Sequence, residues 1–124
     1  MELLAYHGTN LDFKEFNILK GFGSYSALAF GIYFTLKEKR AISYSRGGRV
    51  IAAKISFNNL FDCDELKMIK VNNKVLQHCD LIPYLKKTGL TPFGINCFLK
   101  NIGFDGLKSN STLVVFSKKQ IKEI

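Results

Sequence analysis

The stretch Gly31-Ile32-Tyr33-Phe34-Thr35-Leu36-Lys37-Glu38-Lys39-Arg40-Ala41-Ile42-Ser43-Tyr44-Ser45 holds two tyrosines separated by ten residues. A pair of aromatic faces is a natural slot for a flat ring. Near the N-terminus, Ala5-Tyr6-His7-Gly8-Thr9 puts an imidazole next to a glycine. The glycine admits a ligand close to the backbone. Taken singly, the tyrosines are equally at home as core or rim aromatics, and His7 as an edge histidine. It is their occurrence together that points to chemistry.

Two elements must position these groups. The apolar run Phe30 to Phe34 reads as a strand, and Thr35-Leu36-Lys37-Glu38 fits the S/T-x-x-E capping box, which predicts that Thr35 caps the helix that follows. Tyr33 then leaves the strand end, and Tyr44, about two and a half turns into the helix, returns over the same cleft. Leu3 to His7 reads as a buried strand ended by the turn cluster Gly8-Thr9-Asn10, with His7 at the strand end where side chains reach a cleft.

The rest of the chain supplies a frame of mixed α+β type. Asp12-Phe13-Lys14-Glu15-Phe16 is a single helical turn or a packed loop, and residues 17 to 30, with Gly21, Gly23, Ser24, Tyr25 and Ser26, form a long loop. A loop of that length is expected to lie over the site, with Lys20 as a phosphate contact. Arg46-Gly47-Gly48 stops the helix, and Val50 to Phe57 is a central strand broken by Asn58-Asn59. Residues 62 to 70 fit no single pattern. Val71 to Lys87 has helical spacing through Val75, Leu76, Cys79, Ile82 and Leu85, kinked at Pro83. Thr91-Pro92 opens a further helix that Gly103 closes, with Phe98, Leu99 and Ile102 toward the core. Phe104 to Lys108 is a turn and short strand, Ser109-Asn110-Ser111 a loop tip, Thr112 to Phe116 a β-branched strand and Gln120 to Ile124 an edge strand.

These segments, in this order, resemble the NAD-dependent ADP-ribosyltransferase fold, in the branch with a histidine on the first strand and a Tyr-x10-Tyr pair on the second strand and its helix. The likeness covers nearly the whole chain and is similar to the small ADP-ribosyltransferase domains of phage and mobile-element proteins. It implies a compact α+β domain over residues 1–124, with a split β-sheet core and a few short helices. It also implies transfer of ADP-ribose from NAD, the substrate, to a macromolecular acceptor, protein or nucleic acid, with release of nicotinamide. In that family the histidine, here His7, holds an adenosine-side ribose hydroxyl, and the backbone after it, Gly8 and Thr9, holds the nicotinamide carboxamide. Tyr33, Phe34, Ala41 and Tyr44 complete the implied dinucleotide site.

The reaction breaks the bond between ribose and nicotinamide through an oxocarbenium-like transition state, which such enzymes steady with a carboxylate at the start of a late strand. That position is Thr112, preceded by Asn110 and Ser111, so the charge is absent there. A hydroxyl can hold the ribose but supplies neither charge nor base. Three readings follow. An active transferase takes its acid from elsewhere, Asp105 in the neighbouring turn or the acceptor itself; a slow one works through Ser111 and Thr112; or an NAD-binding or basic interaction module keeps the fold without chemistry. An active enzyme with His7, Tyr33, Thr112 and Asp105 as catalytic candidates is the preferred reading.

Composition sets the outer limits. The chain has 124 residues, 47% apolar with eleven Phe and no Trp, enough for one hydrophobic core. A net charge of +8 and a pI near 9.5 favour acidic partners such as nucleic acid, acidic proteins or a dinucleotide's phosphates, although the lysines are scattered. Cys63, Cys79 and Cys97 are odd in number and lack C-x-x-C spacing, which argues for buried free thiols and against a disulfide framework or a metal site. Leu3-Leu4-Ala5-Tyr6 is far too short for a secretory core or a membrane span. A monomer in a reducing cytoplasm, with no membrane partner, is the expectation.

Overall fold

The computed structural model describes residues 1–9 and 29–124. The turn expected at Asp12 to Phe16, Lys20 and the glycine-rich part of the long loop lie outside the described residues. Strand β1 (Glu2–Thr9) runs antiparallel to β3 (Arg49–Ser56) along its whole length, from Glu2 opposite Ser56 to Thr9 opposite Arg49. Strand β2 (Ile32–Thr35) is just as fully paired on its other side, to β8 (Thr112–Val115), with Tyr33 opposite Val114 and Thr35 opposite Thr112. Between β1 and β2, in contrast, the described residues register at Tyr6 and Thr35 alone. The sheet, ordered β4-β7-β8-β2-β1-β3-β9, is therefore held through its middle by one pair and divides into two halves. Strands β4 (Leu60–Asp62) and β7 (Gly106–Ser109) are parallel, and β9 (Ile121–Glu123) pairs with β3 as the expected edge strand.

Strand alternation sends every second residue to the same face. Ala5, Ile51, Ala53 and Ile55 from one half meet Ile32, Phe34, Leu113 and Val115 from the other in one buried cluster, so the halves close over a shared core. Each large side chain fully buried there contributes about 1.5 to 3 kcal/mol. The opposite face of the β4-β7-β8 half, with Phe61, Leu107 and Val114, is covered by Leu81, Ile82 and Leu85 of α2 (His78–Lys87) and Ile95 and Leu99 of α3 (Pro92–Asn101). The architecture is the α+β class expected. Among the described residues, no helix is long and apolar enough to cross a membrane.

Four local expectations are corrected. The capping box does not form: helix α1 spans Glu38–Ser45 with Lys37 as its uncapped N-cap residue, and Thr35 Oγ1 accepts instead from the Lys37 N–H at 3.2 Å. Leu36 N–H donates to Ser111 O at 2.8 Å, which holds the chain extended for two residues past the threonine. The helix drawn over Val71 to Lys87 is a hairpin followed by a helix. Strands β5 (Met68–Val71) and β6 (Lys74–Gln77) are joined by Asn72 and Asn73, both at positive φ (51° and 63°), the backbone a two-residue hairpin turn demands. Pro83 lies inside α2 without ending it; the carbonyl it leaves unbonded is that of Cys79, in the exposed first turn. Finally, Ile102 caps α3 at 42% exposure, and of the three thiols Cys63 is buried, Cys97 half-buried and Cys79 exposed. Thr91 caps α3 as expected, accepting from Gly94 N–H at 3.2 Å.

Candidate functional site

The opening between β1 and β2 is occupied by an imidazole. One residue beyond the Tyr6–Thr35 pair, His7 reaches across to the main chain of β2, its Nδ1 lying 2.6 Å from Tyr33 O. A carbonyl only accepts, so Nδ1 carries the proton, and in the neutral ring Nε2 is the acceptor. Burial lowers the His7 pKa below the usual imidazole value, offset in part by the bond to Tyr33 O. The ring is thus neutral at pH 7, and it lies against the Phe34 ring at 5.5 Å.

Gly8 and Thr9 continue β1 beyond the opening. A Cβ built on Gly8 would lie 1.8 Å from the carbonyl oxygen of Ala41 and 2.9 Å from the amide nitrogen of Ser45. The close approach that this glycine permits is therefore that of helix α1, whose Ala41 and Ser45 are buried against the strand. Thr9 is buried opposite Arg49. Tyr33 points to the face opposite Phe34 and packs against the cluster built with α2 and α3. Its hydroxyl donates to Ala29 O and accepts from Ala29 N–H at 3.1 Å, which fixes the residues entering β2. The buried Asn96 of α3 reinforces that anchor by donating to Phe30 O. Tyr44 stands 61% exposed on α1, so the two tyrosines expected to form one aromatic slot are held apart, one as an anchor and one facing solvent.

Thr112 opens β8 opposite Thr35, on the face of the sheet that carries Tyr33, whereas the His7 ring is on the other face with Phe34. Beside Thr112 is a cleft of about 640 Å³ lined by Leu36, Lys37, Arg40, Lys108, Ser109, Asn110, Ser111 and Thr112. The hairpin tip that carries Thr112 is tied down by Asp64, whose carboxylate accepts from Asn110 N–H at 2.6 Å and lies 3.7 Å from the Lys108 ammonium.

Asp105 is not in this neighbourhood. It precedes Gly106, which pairs with Val115, while Thr112 pairs with Ser109 at the other end of the β7–β8 hairpin. That is roughly 10 Å of strand at about 3.3 Å per residue. Its carboxylate oxygens accept from Asn58 N–H at 2.7 Å and Asn59 N–H at 3.0 Å, and its carbonyl accepts from Gln120 Nε2 at 3.0 Å. Asp105 thus holds the Asn58-Asn59 turn, and the structure does not bring it together with Thr112.

Sequence reasoning passed over Lys37, Arg40, Lys108 and Asp64. For Arg40 a signal was present, since it shares a helix face with Tyr44 four residues on, whereas Lys37 stands just before the helix, where its period does not apply. For Lys108 and Asp64 there was none, because β4 and β7 are parallel neighbours far apart in the chain.

Against this geometry, one comparison is informative: the profile of a known protein family, described as ADP-ribosyltransferase in polyvalent proteins, matches residues 1–124. No curated protein matches the chain.

Proposed function

The chain belongs to the ADP-ribosyltransferase family of polyvalent proteins, and from that premise we propose that it uses NAD as its substrate, moving ADP-ribose to a macromolecular acceptor with release of nicotinamide. The observation that carries the reading is the parting of β1 from β2 after Tyr6 and Thr35, with His7 standing at the opening. A neutral Nε2 there is an acceptor for a ribose hydroxyl, oriented because Nδ1 is committed to Tyr33 O. The backbone of Gly8 and Thr9, which follows at once, is where the carboxamide is held, with Phe34 and Ala41 beside it.

In the reaction the bond between C1′ of the ribose and the pyridinium nitrogen breaks, and nicotinamide leaves with the bonding pair as a neutral molecule. A nucleophilic atom of the acceptor forms the new bond to C1′ and gives up its proton to water. The developing charge on the sugar is met at Thr112 by a hydroxyl dipole rather than a carboxylate, which makes the chain a slow transferase toward water. By analogy with the loss of one oxyanion-hole donor, the deficit is on the order of a hundredfold. The three free thiols are consistent with action in a reducing cytoplasm, as for an effector carried by a phage or mobile element.

Calorimetric titration with NAD tests the site. The parent binds at pH 7.5 and His7→Ala does not, while both give the same melting curve. Acidification through the His7 pKa, which burial sets below the ordinary imidazole value, weakens parent binding, because a protonated Nε2 turns from acceptor to donor. NAD binding by His7→Ala at parental affinity would sink the assignment.

A further inference from the structure

We propose that the cleft beside Thr112 is a docking surface for single-stranded nucleic acid, which presents the acceptor atom; the inference rests on the transferase reading above. Lys37, Arg40 and Lys108 line the cleft together with the polar hairpin tip, and among the described residues no carboxylate does. Lys108 shares its charge with Asp62 and Asp64 at 3.8 and 3.7 Å, so the charge offered to a ligand comes from Lys37 and Arg40. Both are exposed, and among the described residues no ion pair reaches either.

The second observation is aromatic. Tyr44 follows Arg40 by four residues, so that cation and the ring share one face of α1, and Lys37, the residue just before the helix, lines the same cleft as Arg40. Tyr44 is 61% exposed, an open face where a base can stack. Stacking on such a ring is worth about 1 to 3 kcal/mol per base and is tolerant of sequence. An acidic protein would satisfy the cations and leave the ring unused, and a duplex keeps its bases stacked inside. Phosphates on Lys37 and Arg40 with a base on Tyr44 use all three groups.

Position completes the case. In the order β8-β2-β1, the cleft lies on the Thr112 side and His7 two strands away. On the transferase reading, in which C1′ lies beside Thr112, a strand held in the cleft has C1′ within its reach. A ring or hydroxyl atom of the nucleic acid attacks C1′, nicotinamide departs with the electrons of the broken bond, and the acceptor's proton passes to water.

The test is binding of a fluorescent single-stranded 15-mer by the parent, by the double variant Lys37→Gln/Arg40→Gln, and by Lys119→Gln/Lys122→Gln, which removes the same charge at exposed positions around β9. Losing two phosphate contacts should make the log–log salt slope shallower by about 1.4 and weaken binding on the order of 25-fold at 0.1 M salt. The control pair should bind like the parent, polyglutamate of matched charge should bind more weakly than the 15-mer, and NAD affinity should be unchanged in both variants. Equal losses in the two double variants would reduce the effect to net charge and overturn the proposal. So would polyglutamate binding as tightly as the 15-mer, which would point to an acidic protein. A parallel loss of NAD affinity would make the cleft a site for the dinucleotide's own phosphates and would also overturn it. A parent that binds the 15-mer through Lys37 and Arg40 but never binds NAD would refute the transferase reading and leave the docking surface standing.

Discussion

Replacing Gly8 by alanine places a methyl group 1.8 Å from Ala41 O and 2.8 Å from the Ala41 carbonyl carbon. Both are backbone atoms of α1, so no side-chain rotation relieves the clash. Ordinary contact lies near 3.5 Å, so the helix must move outward by more than about 1 Å or lose its packing on β1. Overpacking of a well-filled interface costs roughly 1 to 3 kcal/mol and sometimes more. For a chain of this size each kcal/mol lowers the melting temperature by about 3 to 5 °C, so Gly8→Ala should melt on the order of 10 °C below the parent. The helix carries Ala41, so NAD affinity should fall with it. Gly47→Ala is the control: that residue has φ +81° with nothing within 4 Å of a built Cβ, so only backbone strain of about 1 kcal/mol is expected. Differential scanning calorimetry with NAD titration reads both effects. A Gly8→Ala protein that melts within 2 °C of the parent and binds NAD equally would refute the packing argument.

Asp105→Asn should leave nicotinamide release at the parental rate while lowering stability by about 1 to 2 kcal/mol, since two main-chain N–H groups lose a charged acceptor; denaturant melts and a release assay separate the two. His7 predicts a pH effect on stability. Its folded pKa lies below that of the unfolded chain, so the unfolded state takes up the proton first, and stability is full above about pH 6.5 and falls as acid is added below it. The acid slope of the melting temperature should be shallower in His7→Asn.

How much of this was readable in the sequence depends on whether the signal was local. The Thr91-Pro92 helix start and the strands around Val50 and Thr112 were legible because side-chain alternation and cap chemistry act over a few residues. The same local logic failed at Val71 to Lys87, where Val75 and Leu76 fit a helical period by chance and the Asn72-Asn73 turn chemistry decided the outcome. At Thr35 a valid capping motif lost to the long-range bond from Leu36 to Ser111. The site divides in the same way. The first strand with His7 on it was legible, although β1 runs on through Gly8 and Thr9 where a turn was expected, whereas the anchoring of Tyr33 by Ala29, the use of Gly8 by α1 and the capture of Asp105 by Asn58 and Asn59 depend on partners that pattern alone does not pair.

The most direct measurement of the central claim is nicotinamide release from NAD by the parent, Thr112→Val and Thr112→Glu, side by side. If Thr112 stands where the sugar's charge develops, a carboxylate there gains electrostatic stabilisation of a few kcal/mol, and Thr112→Glu should release nicotinamide on the order of a hundredfold faster than the parent. Thr112→Val, nearly isosteric on β8 but without the hydroxyl, should fall below the parent. Release at the parental rate by both variants would contradict the account, because it would place the reacting ribose away from β8.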